Sequence, residues 1–413
     1  MPESILIIVQ NLPVPFDRRV WQEATSLQQA GFEVAVICPK MGTYTGGYER
    51  RESVDIYRYP LLYEASKGFL GYLFEFVYCW LATLLLAVRA YIRRPFRVIH
   101  ACNPPDTYFA LAWLFRPLRV KFVFDHHDLC PEMYAAKGNP SSGPLYKALL
   151  WLERRTFRSA DLVIAVNQSH RDLAIKRGGV AGDSIVVVRS GPRRKWADIS
   201  LVRNDLKRGR RNLVVYLGEM CQQDGVDYLL RAIAHYRREY SSEDTTFALV
   251  GGGPHQSQMR DMARDLGIED STHFTGRIPD EELWEYLSTA DVCVDPDPLT
   301  EWSNLSTMNK MIEYMAFGRA IVAFDLREHH NTAGDAAVYI ADNSEKQLAA
   351  EIRALTIDEE RRCRLGIAAR QRFRKILAWE NSEEVLVGSY RRLFRLASTQ
   401  TASQPNTARL GHQ

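Results

Sequence analysis

The sequence predicts an α/β protein made of two domains with parallel sheets, and three observations carry that expectation. Short apolar runs alternate with amphipathic stretches along the whole chain, from SILIIV and EVAVICP near the start to DLVIAVN, NLVVYL and AIVAFD later, as βαβ units require. The interiors of these runs are apolar, as in AIVAF within AIVAFD, which fits strands covered on both faces. The length of 413 residues suits two domains of roughly 180 residues each better than one core.

Composition excludes some function classes. Lys plus Arg total 53 against 50 Asp plus Glu, a net charge of +3 with no lysine-rich run, so a nucleic-acid partner is not expected. The seven cysteines are scattered with no C-x-x-C pair, and Cys38 and Cys293 sit in apolar runs. That pattern predicts a reducing compartment and no structural zinc. ILIIVQ is too short for a secretory leader, so the expected location is the cytoplasm.

The first domain is expected over 1–200. SILIIV forms a strand, QNLPVPFDRR a loop, VWQEATSLQQAGF a helix ending near Gly31, and EVAVICP the next strand. Asp17 suits the helix cap. Arg18 and Arg19 stand beyond the carboxyl end of the first strand, where parallel sheets bind ligands. They are either a solvated helix start or contacts to an anionic ligand. Residues 69–92 are the most apolar part of the chain, with an uninterrupted core from Phe76 to Val88, short of the roughly 20 residues that span a bilayer. A buried helix leaves Phe74, Tyr78, Trp80 and Tyr91 unexplained. An amphipathic helix in the membrane interface accounts for these aromatics and for the flanking Arg89, Arg93 and Arg94. RVIHACNPPD and KFVFDHHDLCPEMY are two strands with polar exits that carry His100, Asn103, Asp106, Asp125, His126, His127, Asp128 and Glu132. Such a cluster at strand ends is a plausible active-site wall. Adjacent strand residues point to opposite faces, so His126 and His127 do not share a metal, and no metal is expected.

The basic stretch 193–211 reads as a linker, and the second domain is expected over 201–380. NLVVYLGEM brings a strand to Gly218, and FALVGGGP brings another to Gly252. A glycine run lets backbone N–H groups approach phosphate, although a tight βα turn explains it equally well. THFTGRIP places a turn at Arg277 and Ile278. Asp295-Pro-Asp297 reads as a strand-end loop. In SNLSTMNKMIEYMAFGRAIVAFD, Met308, Met311, Ile312 and Met315 form one apolar helix stripe. Ser306 or Thr307 is expected to cap the helix, and Gly318 to end it in the left-handed conformation. Lys310 and Glu313 then share an edge near the first turns, either as an ordinary ion pair or facing an anion and a hydroxylated ligand. Helices follow at 344–355 and 358–374, then a last helix at 381–397, and 398–413 is expected to be disordered.

MIEYMAFGRAIVAFD resembles the donor-binding signature of glycosyltransferase family 4, retaining enzymes of the GT-B fold. PFDRRVWQEA and STMNK before EYMA resemble its bacterial surface-polysaccharide subgroup. The resemblance implies two Rossmann-like domains facing a cleft, with a C-terminal helix crossing back to the first. It implies transfer of a sugar from a nucleoside diphosphate donor, UDP being expected, to a lipid-linked glycan acceptor, without cofactor or metal. An enzyme of that kind would sit at the inner face of the plasma membrane, with 69–92 as its peripheral contact. By the same resemblance His127 lies beside the donor sugar, with Asp128 able to orient it. Glu313 would hold the ribose, and Lys310, Ser306, Thr307 and Asn309 would lie near the phosphates. Gly218, Gly252, Arg277 and Ile278 would line the donor pocket, and Arg18, Arg19, Asn103, Asp106 and Glu132 would face the acceptor. The sequence departs from the family signature at Leu305 and Ala320. It also departs at Glu219 and Asp224, which are acidic where the family has an arginine and a lysine gripping the diphosphate. An NDP-sugar epimerase and an inactive nucleotide-sugar-binding protein are the alternatives.

Overall fold

A computed structural model of the chain describes residues 3–61, 68–240 and 244–402. It divides into two compact units. Unit 1 takes the chain through His127, then Leu149–Val188, then Glu383 onward; unit 2 takes Asp128–Ala148 and Arg189–Ser382. The division therefore falls at Val188 rather than near 200, and a short excursion after His127 groups with unit 2.

The strands of unit 1 are β1 (Ser4–Ile8), β2 (Glu33–Pro39), β3 (Tyr48–Arg51), β4 (Val54–Tyr59), β5 (Val98–Cys102), β6 (Lys121–His126), β7 (Leu162–Ala165) and β8 (Ile185–Val187). They form one sheet in the order β3-β4-β2-β1-β5-β6-β7-β8, parallel except for the antiparallel β3. Unit 2 holds β9 (Asn212–Leu217), β10 (Thr245–Val250), β11 (Thr272–Gly276), β12 (Val292–Asp295), β13 (Ala320–Phe324) and β14 (Ala337–Ile340). Its order is β11-β10-β9-β12-β13-β14, parallel throughout. In each unit the winding reverses beside the first strand, β1 or β9, and parallel sheets of this kind bind ligands beyond the carboxyl ends at such a reversal. β1 and β13 are buried at every position, as their unbroken apolar runs require.

The apolar stretch forms one long helix, Gly68–Arg93. Cys79, Thr83, Ala87 and Ala90 are buried on the side packed against β2 and β4. The opposite side exposes Phe74 (62%), Val77, Leu81, Leu85 (71%), Val88 and Ile92 (77%). By length and composition Phe74–Arg93 is enough to cross a bilayer, so length does not argue against a span. The buried small-residue face does, because it belongs to the unit 1 core. Tyr78 is accounted for by its hydroxyl donating to the Pro60 carbonyl at 2.8 Å, and Tyr91 by packing on Phe96 and Phe115.

In unit 2 the helix Asn309–Ala316 buries Met311, Ile312 and Met315, and Gly318 follows it at φ +62°. Its cap is Met308, which makes no side-chain cap bond. Ser306 instead closes the short helix Glu301–Leu305, donating to the Trp302 carbonyl at 2.8 Å. The last helix, Trp379–Ala402, buries Leu386, Tyr390, Leu393 and Phe394, and Phe394 stacks on Phe32 within unit 1. Of the tail expected to be disordered, 398–402 continues this helix, and 403–413 lies outside the described residues.

Candidate active site

In unit 1 the polar cluster gathers at the ends of β5 and β6. Asp125 and His127 are two residues apart and so lie on one side of their strand, whereas His126 faces the other. The structure follows that alternation. His127 Nδ1 lies 3.3 Å from Asp125 Oδ2, while His126 Nε2 lies 3.4 Å from Glu153, which in turn pairs with Arg177. The His127 imidazole is 15% exposed and Asp125 fully buried. The backbone N–H of His127 donates to Asn103 Oδ1 at 2.8 Å, and Asn103 Nδ2 donates to Asp106 at 3.1 Å. Asn103 and Asp106, expected on the acceptor side, are thus buried and hold the turn that carries His127. Glu132 is buried as well, and Arg18 is exposed. Asp125, which the sequence analysis does not assign to orienting His127, stands at the imidazole. Asp128, expected in that role, is the residue at which the chain passes to unit 2. The strand alternation could have singled out Asp125 from the sequence.

Beneath His127 lies a closed charge network. Arg19, on the helix Arg18–Gln29, donates to both Asp125 oxygens at 2.7 and 3.1 Å and to the Val188 carbonyl at 3.0 Å, and it pairs with Glu23 one turn along at 3.0 Å. Arg19 is therefore an internal brace, not an exposed ligand contact. His100 Nε2 approaches Glu23 at 3.5 Å, and its Nδ1 meets the Tyr390 hydroxyl of the last helix at 2.7 Å. Burial alone would raise the Asp125 carboxyl, but Arg19 and His127 outweigh it and hold it well below the usual range. Glu23, where burial prevails over Arg19, is pushed up to about 7. Glu23, His100, Cys102 and Asp125 converge as metal ligands would. The Arg19 guanidinium already supplies the positive charge there, so the set fits a metal poorly.

In unit 2 the candidate donor residues collect beyond β9, β10 and β12. Gly251 is at φ +130°, and a Cβ there would lie 1.9 Å from the Gly218 carbonyl oxygen. Only glycine lets the two strand ends cross so closely. The neighbouring Gly252 carbonyl accepts from Met220 N–H at 2.9 Å. Arg277 is exposed and Ile278 half-buried in the turn after β11. Lys310 is buried, with its Nζ 2.5 Å from Asp297 and 3.5 Å from Asp295, and it lies over the Tyr216 ring. Asp295 also lies 3.3 Å from His329 Nε2. Burial raises both carboxyls. Lys310 and His329 overcome it at Asp295, which is held well below the usual range. Asp297 faces Asp295 and stays well above it. The Lys310 ammonium, expected near phosphate, is thus committed to two carboxyl groups. The D-x-D reading as a strand-end loop holds, since β12 ends at Asp295. Glu313 is half-buried and Asn309 exposed on their helix, and Glu219 is exposed while Asp224 is half-buried.

Two family models match in tandem. One described as "Glycosyl transferase 4-like domain" covers residues 17–191, and one described as "Glycosyl transferases group 1" covers 211–358. Among curated proteins the chain is similar to a GDP-mannose-dependent alpha-(1-6)-phosphatidylinositol monomannoside mannosyltransferase of Mycolicibacterium smegmatis. The two are 41% identical over 88 residues, which is 21% of this chain and 22% of that relative. Among solved structures it is similar to the sucrose-phosphate synthase of Thermosynechococcus elongatus, with a TM-score of 0.74 at 20% identity over 95% of this chain and 100% of that one. It is also similar to HepE of Anabaena in complex with UDP, with a TM-score of 0.69 at 15% identity over 97% of this chain and 100% of that one. These structures share the GT-B fold.

Proposed function

The chain belongs to glycosyltransferase family 4, of GT-B fold, and from that premise we propose that it transfers a sugar from a nucleoside diphosphate donor to an acceptor hydroxyl with retention of configuration. The observation that carries the reading is the partly open His127 imidazole, braced from below by buried Asp125 at 3.3 Å. In the proposed reaction the bond between the anomeric carbon and the diphosphate oxygen breaks, and its electron pair leaves on the phosphate. The acceptor oxygen bonds the same carbon on the same face, and its proton passes to the departing phosphate. His127 lies beside the donor sugar and stabilises charge as it develops, with Asp125 fixing its orientation. Glu313 holds the ribose hydroxyls, and no metal is required. UDP is the expected diphosphate, in keeping with the UDP complex of HepE.

The proposed acceptor is a lipid-linked saccharide in surface-polysaccharide assembly, and the enzyme rests on the cytoplasmic face of the membrane. Two features support this. The mannosyltransferase relative acts on a phosphatidylinositol mannoside. The helix Gly68–Arg93 presents a continuous exposed stripe from Phe74 to Ile92, with exposed Arg89, Arg93 and Arg94 at its end, a composition suited to an anionic lipid surface.

The acidic Glu219 and Asp224 and the neutralised Lys310 favour a second reading, a nucleotide-sugar-binding protein without turnover. Release of the nucleoside diphosphate from UDP-, GDP- and ADP-sugars, with membrane lipid extract as acceptor and with or without EDTA, separates the two. Transfer that persists in EDTA and falls at least a hundredfold in His127→Ala is the expected result. Nucleotide binding with no turnover in any arm would select the second reading, and interconverted free NDP-sugar would indicate an epimerase.

A further inference from the structure

A nucleoside diphosphate bound by unit 2 needs positive charge, and Lys310 is committed to Asp297 and Asp295. Arg189 is different. Its side chain is 17% exposed, and the closest carboxylate oxygen, Glu328 Oε2, stands 4.0 Å from Nη1, beyond hydrogen-bond reach. That Nη1 is enclosed and has no hydrogen-bond partner among the described residues. Other enclosed arginines hold at least one close hydrogen-bond partner, whereas no hydrogen bond to the Arg189 side chain is formed among the described residues. Arg19 makes three hydrogen bonds. Arg319 donates to three backbone carbonyls. Arg58 donates to Glu49 and the Val14 carbonyl. Burial, and then the neighbouring Arg372, lower the Arg189 pKa, yet a guanidinium keeps its proton at any physiological pH. A permanently charged group with a loose partner is a costly arrangement if its role is only structural.

The surroundings point to what it lacks. Glu328 Oε2 is shared with Thr307, whose hydroxyl is 3.5 Å from it. Thr307 lies two residues before the helix Asn309–Ala316, the element that also carries Glu313. Arg189 and Thr307 therefore converge on one carboxylate oxygen, and an incoming phosphate oxygen can compete with it. We propose that Arg189 is the cation that binds the phosphate oxygens of the nucleoside diphosphate, in place of the two basic residues that Glu219 and Asp224 have replaced. The inference rests on the donor reading above and deepens it. On binding, the guanidinium exchanges its distant carboxylate for a bidentate phosphate contact.

The test is calorimetric titration of the full chain with UDP, GDP and ADP, with the matching nucleosides and with inorganic pyrophosphate. It compares wild type with Arg189→Gln, Arg189→Lys and Glu328→Gln. The expected result is that Arg189→Gln loses at least tenfold in affinity for the preferred diphosphate and for pyrophosphate, while the nucleoside binds as before. Arg189→Lys recovers part of the loss, and Glu328→Gln, which removes the competing carboxylate, binds the diphosphate at least as well as wild type. Diphosphate affinity within twofold of wild type in Arg189→Gln would overturn the inference and leave Arg189 as a counter-ion of Glu328. If Arg189→Gln does not fold, Glu328→Gln decides: a tenfold loss of diphosphate affinity there contradicts the competition. Wild type that binds no nucleotide but binds pyrophosphate through Arg189 would sink the donor reading and keep the anion site. Binding of neither would sink both.

Discussion

Each unit carries an arginine with little exposure beside a buried carboxylate, and the two are satisfied to different degrees. In unit 1 Arg19 is closed on every side, with both Asp125 oxygens, the Val188 carbonyl and Glu23 within 3.1 Å. In unit 2 Arg189 has an enclosed N–H with no partner among the described residues and a carboxylate at 4.0 Å. A saturated cation has no capacity left for a ligand and acts as a brace, whereas an unsaturated one can accept an anion without first breaking a strong pair. Both are largely enclosed arginines near acids, and only the distances tell brace from binder.

Substitution at the brace should have the largest effect. Arg19→Met leaves Asp125 and Glu23 buried without their cation, so unit 1 should lose about 3–5 kcal/mol, read as a lower midpoint in denaturant. A loss under about 1 kcal/mol would mean that Arg19 is no brace. His127→Ala should cut turnover by about two orders of magnitude or more, in the range of a positioned catalytic group, while the melting temperature barely moves. Asp125→Asn should lower kcat with less effect on KM and move the pH profile, because it removes the charge that orients the imidazole without removing its shape.

Glu23 tests the network through pH. Its folded-state pKa, about 7, lies above the unfolded carboxyl value of 4.5, so the folded form binds more protons between these values. Stability from this group is therefore present at low pH and is lost as pH rises toward 7. Glu23→Gln should flatten that decline, by about 1–3 kcal/mol across the window, and an unchanged slope of melting temperature against pH would contradict the assignment. The smallest effect on the fold is expected on the exposed helix stripe. Leu85→Glu with Ile92→Glu should leave the melting temperature within about 2 °C, as surface changes usually do. The pair should abolish co-flotation with anionic vesicles, and retained flotation would remove this stripe as the contact.

Most of the fold was legible because its signals are local. Apolar runs marked the strands, the Met308–Met315 stripe marked the buried helix face, and Gly318 marked its end. Asp17 caps its helix as read, accepting from Val20 N–H at 3.0 Å. The site was legible in part. His127 was expected from its place after β6, and strand alternation in the sequence would also have put Asp125 on its side, where the structure has it at 3.3 Å. Arg19 and Lys310 read as ligand contacts because a charge at a helix start looks the same in sequence whether free or paired. Their partners, Asp125, Asp295 and Asp297, lie on or just beyond strands that only the sheet order brings near. Arg189 gave no sequence signal, since its mark is a missing partner.

The most direct test of the central claim is a thermal-shift panel of UDP, GDP, ADP and their sugars on wild type and Glu313→Ala. A ligand that binds only the folded state stabilises it by about 2.7 kcal/mol at a hundredfold excess over Kd. The account predicts a rise of several degrees with one diphosphate and its sugar, lost in Glu313→Ala. No rise with any nucleotide in the wild type would contradict it.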